Sequence, residues 1–382
     1  MHILIVGAGI NGLSAAWALA RAGHRVEVFE REAIPNREGT SYDQHRLIRT
    51  PYGSQRGYAR MMAPAWAAWD RLWRDLDRAP GGDPEGHYVG RVGCLALSTA
   101  EGDWTDRSAA TLDALGISYE RIAPHDLPTR FLVLRTEDAR FGLYDAGGGV
   151  LYADRIMDDL AAWLAAHEVA LHGRTTVTDI DSAAAWLRTS DGTVHRGDGI
   201  LVTAGVWAAN LFPELAPLVT PLRQIVAYVA PPPELAADWA NSPAMLDLGG
   251  PRGMYLAPPA HGRGFKIGCG AYNRPCGLDE DAAPRPGDGP ALLAYYRDRF
   301  RLWEQFRVLG LRMCRYANEP DQRFILRRDQ AAWVLTGCSG HGFKFGPLMG
   351  EALAAASLGH VAATDLAAWA AGEADPGFAP AA

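Results

Sequence analysis

Gly7-Ala8-Gly9-Ile10-Asn11-Gly12 is the first stretch of the chain whose residue types and spacing could do chemistry. Gly7 suits a tight turn, Gly9 lets an anionic group approach the backbone, and Gly12 lets a helix pack closely on a strand. N–H groups left open at the start of such a helix, together with the positive end of its dipole, bind a pyrophosphate. Glu30, eighteen residues past Gly12, can accept hydrogen bonds from both hydroxyls of a ribose. Its charge repels a 2′-phosphate, so the pattern fits FAD or NAD rather than NADP.

Such a loop recurs in many proteins, and its surroundings decide its meaning. Here His2-Ile3-Leu4-Ile5-Val6 is a short apolar run that reads as a buried parallel strand. Leu13 to Ala22 is rich in Ala and Leu and stops at Gly23, as a helix does. Arg25 to Phe29 reads as a second strand, with Glu30 at its end. Two more glycine turns follow. One is Ala204-Gly205-Val206-Trp207, after an apolar strand beginning at Gly199. The other is Ser339-Gly-His-Gly-Phe-Lys-Phe-Gly346, between a strand over Val334–Cys338 and a helix over Leu348–Leu358.

Between these turns the spacing predicts a polar loop over Glu32–Tyr42 and helices over Tyr58–Leu76, 107–115, Val150–Ala166 and Ala291–Phe306. Strands are expected over 89–98, Val169–Ile180 and Ala185–Leu187, and a mixed region over 128–145. Residues 222–275 alternate like antiparallel sheet, while Ala79–Gly86 and Pro284–Pro290 read as breakers. Trp66, Trp69 and Trp73 form a stripe that reads as core rather than as a cofactor box.

The chain has 382 residues, enough for two domains. A formal net charge of −7, with no long run of Lys or Arg, argues against a nucleic-acid surface. An anionic substrate would need a local positive site. No stretch has the uninterrupted apolar length of a membrane helix, and Met1 is followed by no basic region or cleavage site. A soluble, cytoplasmic monomer is expected. Cys94, Cys269, Cys276, Cys314 and Cys338 form no C-x-x-C pair, which predicts free thiols rather than a disulfide frame or a zinc site. No metal centre is expected. Nucleotide-type units lie at the start, middle and end of the chain, so one split domain is expected over 1–85, 146–220 and 310–382. A substrate domain is expected over 86–145 and 221–309.

Five segments together resemble the D-amino-acid-oxidase-like flavoproteins, and within them the monomeric sarcosine oxidase and N-methyltryptophan oxidase branch. They are Gly7 to Glu30; Arg46-Leu-Ile-Arg49 with Tyr52-Gly53; Ala204-Gly-Val-Trp207; Cys314-Arg-Tyr316; and Ser339-Gly-His-Gly-Phe-Lys344-Phe. The resemblance spans nearly the whole chain. It implies an α/β fold (α+β overall), with a Rossmann-like FAD-binding domain of the glutathione-reductase type and an interleaved, antiparallel-sheet substrate domain.

It also implies FAD, with contacts from Gly7, Gly9, Ile10, Asn11, Gly12, Glu30, Arg31, Ser41, Arg46, Val177, Ala204, Gly205, Trp207, Cys314, Gly340, His341, Gly342, Phe343 and Lys344. Cys314 matches the cysteine that attaches FAD through a thioether to the flavin 8α-methyl, a step that needs a thiolate. Lys266, in Gly264-Phe-Lys-Ile-Gly268 and eleven residues after Tyr255, matches a lysine over the flavin near N5. A cation there would stabilise superoxide as O2 takes up an electron. Arg49 and Lys344 match a pair that holds the substrate carboxylate. Arg46 matches a flavin-side residue, and Tyr255 and Tyr316 would line the substrate pocket. His341 and its glycines would form the loop beneath the flavin ring. The helix opening at Leu348 would aim its positive end at the N1–C2 carbonyl region.

Two positions depart from that pattern. Gly270 stands where a histidine follows the lysine, and Tyr42 where a histidine precedes the arginine motif. Sarcosine is therefore not the expected substrate, and room is left for a larger or cyclic one. The implied reaction oxidises the C–N bond of a secondary or cyclic amino acid to an imine, with O2 reduced to H2O2. One rival is a dehydrogenase serving another electron carrier, and another is an oxidase of a biosynthetic amino-acid intermediate. A monooxygenase would need a second fingerprint for NADPH, which the sequence lacks. A non-catalytic FAD-binding protein would leave Lys266, Arg49 and Lys344 without a purpose.

Overall fold

The structure, a computed structural model, describes residues 1–76, 87–249, 253–259, 262–278, 280–281 and 283–373. The expected breaker over Ala79–Gly86 lies outside the described residues. The glycine loop opens the first of two large sheets. Its strands run in the order Ile325–Asp329, Ala332–Thr336, Gly199–Val202, His2–Val6, Arg25–Phe29 and Ala170–His172. Every neighbouring pair is parallel except the first. Ile3, Leu4 and Ile5 are fully buried because helices cover one face and other chain the opposite face. That two-sided burial explains why these strands read as continuous apolar runs rather than as alternating ones.

The helix Ile10–Arg21 packs against Gly346–Ser357 at unusually short range. A Cβ on Gly346 would lie 2.3 Å from Ile10, and one on Gly350 would lie 2.5 Å from the backbone of Ser14. The second helix starts at Gly346, two residues earlier than expected, because Pro347 is suited to the first helical turn. Arg71, on the long helix Arg56–Asp75, clamps Glu351 through two 2.6 Å hydrogen bonds and ties a third helix to this pair.

The second sheet has nine strands and is antiparallel except where Cys94–Ser98 runs parallel to Ala244–Leu246. Its longest pair is Thr220–Ala230 against Arg307–Asn318. The expected boundary at residue 310 therefore falls inside a strand of this sheet, and the six-stranded sheet resumes only at Ile325. Two three-stranded sheets complete the architecture. One joins Arg46–Ile48 to Gly149–Leu151 and Val89–Gly90, and the other is a meander over Val177–Asp181, Trp186–Thr189 and Val194–Arg196.

Several expected elements differ. Val150 and Leu151 are a strand, and the helix begins only at Ala153. Val169–Ile180 is broken into Ala170–His172 and Val177–Asp181, which belong to different sheets. The expected strand over 89–98 is interrupted between Gly90 and Cys94, and the helix at 107 begins at Trp104, where Asp103 accepts a hydrogen bond from the Asp106 N–H as a cap. The helix expected over Ala291–Phe306 is only Asp288–Ala294. Beyond it, Phe300 bridges to Leu134, Arg299 is held by Asp138, and Leu302 turns left-handed. Tertiary contacts thus override the local helical spacing.

Candidate active site

The turn between the first strand and helix is built as its glycines require. Gly7 has φ +99°, and a Cβ there would lie 2.7 Å from the carbonyl oxygen of Thr203. A Cβ on Gly12 would lie 2.0 Å from the carbonyl oxygen of Gly7, so this glycine packs rather than lines a cavity. The helix Ile10–Arg21 has no side-chain cap and no acid in its first turn, which leaves its positive end suited to an anion. Ser41 accepts a hydrogen bond from the Ile10 N–H at 3.0 Å. Glu30 accepts from the Ala8 N–H at 2.9 Å, the Glu32 N–H at 3.2 Å and Asn36 Nδ2 at 3.1 Å.

Gly7, Ala8, Ile10, Glu30, Asn36 and Ser41 border a cavity of about 430 Å³ that also collects Gly9, Asn11, Arg31, Val177, Ala204, Gly205, Trp207, Gly342 and Phe343. The Arg31 guanidinium carbon lies over Trp207, 3.9 Å from the ring centre. Thr175, Thr176 and Thr178 join the lining, and sequence reading misses them because they sit in a connection and at a strand edge.

A second cavity, of about 740 Å³, adjoins the first and shares Arg46, Tyr316, Gly340 and Phe343 with it. Arg49, Tyr255, Lys266, Cys314, His341 and Lys344 all line it. Tyr255 and Tyr316 are hydrogen-bonded to each other, and burial pushes both phenols up. Two glycines make room for these rings. A Cβ would lie 2.3 Å from the Tyr255 ring at Gly268 and 2.4 Å from the Tyr316 ring at Gly340. Gly270 lines this cavity, whereas Tyr42 turns away to donate to Asp158 at 3.0 Å.

At one wall stands a buried charge cluster that sequence reading does not anticipate. Asp43 accepts from Lys266 Nζ at 2.9 Å and from Arg46 Nη1, and Tyr228 donates to its other oxygen. Lys266 Nζ also donates to the His45 carbonyl at 2.6 Å. Burial opposes ionisation of Asp43, but Lys266 and Arg46 hold its carboxyl well below the usual range. Burial lowers the Lys266 ammonium to about 8, with Asp43 resisting the fall. Burial likewise works against the Arg46 charge, and Asp43 more than offsets it. His45 is fully enclosed, and burial lowers its imidazole to about 3. Arg46 Nη2 reaches within 4.0 Å of Cys314 Sγ.

At another wall Arg49 and Lys344 meet over one ring. Arg49 lies 4.0 Å above Tyr52 and Lys344 Nζ lies 5.6 Å from the same ring centre. Lys344 Nζ donates to the His341 carbonyl at 3.0 Å, and Arg49 donates to the Pro51 carbonyl. Neither cation has a carboxylate partner among the described residues. Burial, then the neighbouring Arg49, pushes the Lys344 ammonium well below its usual range. The His341 ring stacks on Phe324 at 4.8 Å, and its Nε2 lies 2.8 Å from the Gln322 carbonyl, so the loop histidine is anchored in an aromatic nest.

Residues 2–356 match the model of the family described as FAD dependent oxidoreductase. The chain belongs to that family. N-methyl-L-tryptophan oxidase of Salmonella enteritidis is 28% identical over 380 residues, covering 95% of this chain and 96% of that protein. Among solved structures, L-proline dehydrogenase from P. horikoshii superposes with a TM-score of 0.80 at 18% identity, over 97% of this chain and 96% of its own. Glycine oxidase from Geobacillus kaustophilus gives 0.77 at 21% identity, over 97% of each chain. The mixed parallel and antiparallel architecture is thus that of the FAD-dependent oxidoreductases. Their cofactor fits the residues present, because the uncapped start of the helix at Ile10 and the acid Glu30 both border the smaller cavity, where a pyrophosphate and a ribose could be held.

An anion bound between Arg49 and Lys344 should restore the lysine's proton. Binding of a simple carboxylate such as acetate should therefore be accompanied by proton uptake between the lowered pKa and the ordinary value of about 10.4. Calorimetric titration in buffers of differing ionisation enthalpy reads this directly. The heat should depend on the buffer in the wild type and not in Lys344→Met; buffer-independent heat in the wild type would remove Lys344 from the anion site.

Proposed function

We propose that this protein oxidises the C–N bond of a secondary or cyclic α-amino acid to an imine, which water then hydrolyses, and that O2 is the electron acceptor, leaving as H2O2. The observation that carries the substrate class is the pair Arg49 and Lys344, two cations without a carboxylate partner, among the described residues, on one wall of the larger cavity. A carboxylate suits them, the arginine binding through its planar fork and the lysine as a point charge. The relatives named above carry an amino acid in their own names, which agrees with this reading. FAD, when bound, takes two electrons and a hydrogen from the carbon beside nitrogen and passes the electrons on.

The chain's own residues bind and orient. In this reading Gly7, Gly9, Ile10, Asn11, Glu30 and Arg31 hold the dinucleotide, while Val177, Ala204, Gly205, Trp207 and the Gly340–Phe343 turn enclose it. Arg49 and Lys344 fix the carboxylate, and the Tyr255–Tyr316 pair closes the pocket around the α-carbon. Positioning of this kind supplies much of the rate. No acid and base pair is required if the amine binds unprotonated. Gly270, without a side chain, leaves space for a ring or a large N-substituent. The working unit is a monomer acting in the cytoplasm.

A second reading makes the protein a dehydrogenase for another carrier. It is favoured by Asp43, whose carboxylate offsets the Lys266 charge that O2 reduction would use. The lysine decides between the two. Lys266→Met should leave anaerobic reduction by substrate largely intact and slow the return of the oxidised enzyme under O2 by orders of magnitude. The Lys266 charge is present below its pKa of about 8 and lost above it, so wild-type reoxidation should fall as pH rises through that value. Asp43 raises this pKa, so Asp43→Asn should move the fall to lower pH. Stopped-flow reoxidation rates that are equal in Lys266→Met and wild type would favour the dehydrogenase.

The carboxylate reading has its own test. A charge-assisted hydrogen bond contributes about 1.5–3 kcal/mol, so Arg49→Ala should cost on the order of ten- to a hundredfold in kcat/KM for amino acids. Cyclic and large N-substituted amino acids should outperform sarcosine. If decarboxylated amines turn over as well as their parent acids, the substrate is not an amino acid.

Cys314 is proposed to carry FAD covalently. Its support is burial in the wall of the larger cavity and a guanidinium 4.0 Å from its sulfur, the kind of neighbour a reactive thiolate needs. Acid-precipitated wild-type protein should stay yellow, and Cys314→Ser should release its flavin to the supernatant. Complete release from the wild type would refute the link and leave FAD binding untouched.

A further inference from the structure

A cluster remote from the catalytic cavity has chemistry that flavin oxidation does not use. Glu27 lies on the strand Arg25–Phe29, and its carboxylate is almost fully buried. Three imidazoles from three other strands surround it. His172 Nε2 stands 3.0 Å from Oε2, His195 Nδ1 stands 3.6 Å from the same oxygen, and His2 Nε2 stands 2.9 Å from Oε1. Arg25 also reaches Oε1 at 2.9 Å. The donor atoms of Glu27, His172 and His195 all lie within 4.8 Å of one another.

We propose that Glu27 Oε2, His172 Nε2 and His195 Nδ1 form a binding site for one Zn²⁺-type ion, with water as the fourth ligand. Tetrahedral zinc with bonds of about 2.0–2.2 Å keeps its ligand atoms roughly 3.3–3.6 Å apart. The separations of 3.0 and 3.6 Å from Oε2 are close to that edge length. The longer one exceeds a hydrogen bond, so His195 aims at the carboxylate without closing on it. The gap leaves room for an ion between the donors.

Ring orientation is fixed by packing. Phe29 stacks on His172 at 4.6 Å with 10° between the planes, and meets His195 edge-on at 4.6 Å. Both imidazoles keep about a fifth to a third of their side-chain surface open to water, so an ion can reach them. Two imidazoles and one carboxylate favour zinc and its transition-metal neighbours over magnesium or calcium, which prefer oxygen.

The three ligands belong to pieces of chain that share no strand. Glu27 is in the six-stranded sheet, His172 is on its edge strand, and His195 is on the meander laid over it. An ion here would fasten the meander to the sheet. Phe29 and Val177, on those two pieces, also line the smaller cavity. Metal binding and retention of the dinucleotide are thereby linked through a shared wall.

The test uses holoenzyme stripped with a chelator and titrated with ZnCl2, with MgCl2 as the control. One Zn²⁺ should bind per chain at micromolar concentration or below, with a rise in melting temperature that grows with free metal, and Mg²⁺ should do neither. Co²⁺ should give the visible absorption of a four-coordinate site. His195→Ala and His172→Gln should each weaken Zn²⁺ binding on the order of a hundredfold, at least the loss typical of an outer-shell partner. Far-ultraviolet circular dichroism verifies that each variant is folded. The proposal is overturned if stripped holoenzyme takes up no Zn²⁺ at millimolar concentration, or if folded His195→Ala binds it as tightly as the wild type. Equal stabilisation by Mg²⁺ would also overturn it.

Discussion

Asp43 sits where almost no water reaches, and the buried Lys266 and the largely enclosed Arg46 stand there only because it does. Lys266 and Arg46 come from strands far apart in sequence, one in the nine-stranded sheet and the other in a short three-stranded one. Their charges would be costly to bury alone, since an isolated ion in a low-dielectric interior loses several kcal/mol of solvation. The carboxylate between them holds both, and Tyr228 from a third strand saturates its remaining oxygen. Removing one partner of such a buried set typically costs about 3–5 kcal/mol, because the others are left uncompensated. The cluster is therefore a stitch between sheets as well as a wall of the cavity.

Around that stitch the two sheets meet along a seam of glycines. Gly340 accommodates the Tyr316 ring, Gly268 accommodates the Tyr255 ring, and Gly7 and Gly12 let the first helix and strand close on Thr203 and on each other. Each is a place where a methyl group would collide with backbone or a fixed ring. Their joint effect is to bring the smaller and larger cavities together through shared residues, so that an extended dinucleotide and a substrate can occupy adjoining volumes.

The parts legible in the sequence are those whose geometry is local. Gly7 to Glu30 can be read as strand, turn, helix and strand because apolar run, glycine spacing and helix stop all lie within thirty residues, although Thr203 and Ser41 complete the turn from afar. Lys266 and Cys314 are recognisable only through resemblance, since nothing in their immediate neighbours specifies a cavity. Asp43 escapes notice for a related reason. An acid three residues before Arg46 looks like a loop charge until the fold brings Lys266, 223 residues away, to its side. The helix expected over Ala291–Phe306 fails in the opposite direction. Leu292, Leu293, Tyr296 and Phe300 have helical spacing, yet the last of them is drawn into a bridge with Leu134 and the chain turns there.

The two buried lysines of the larger cavity show how one residue type serves two ends. Lys266 carries its counter-ion with it, so its charge is retained in part and its position is fixed by two hydrogen bonds. Lys344 has no carboxylate partner among the described residues, and burial, then the facing Arg49, pushes its ammonium well below the usual range. The cavity is thus under electrostatic strain at one wall and relaxed at the other. A ligand bearing a carboxylate would supply the counter-charge that the first wall lacks, which a neutral amine of the same shape could not. In the proposed reading, discrimination between amino acid and amine rests on the lysine charge that a carboxylate would recover as well as on the new hydrogen bonds.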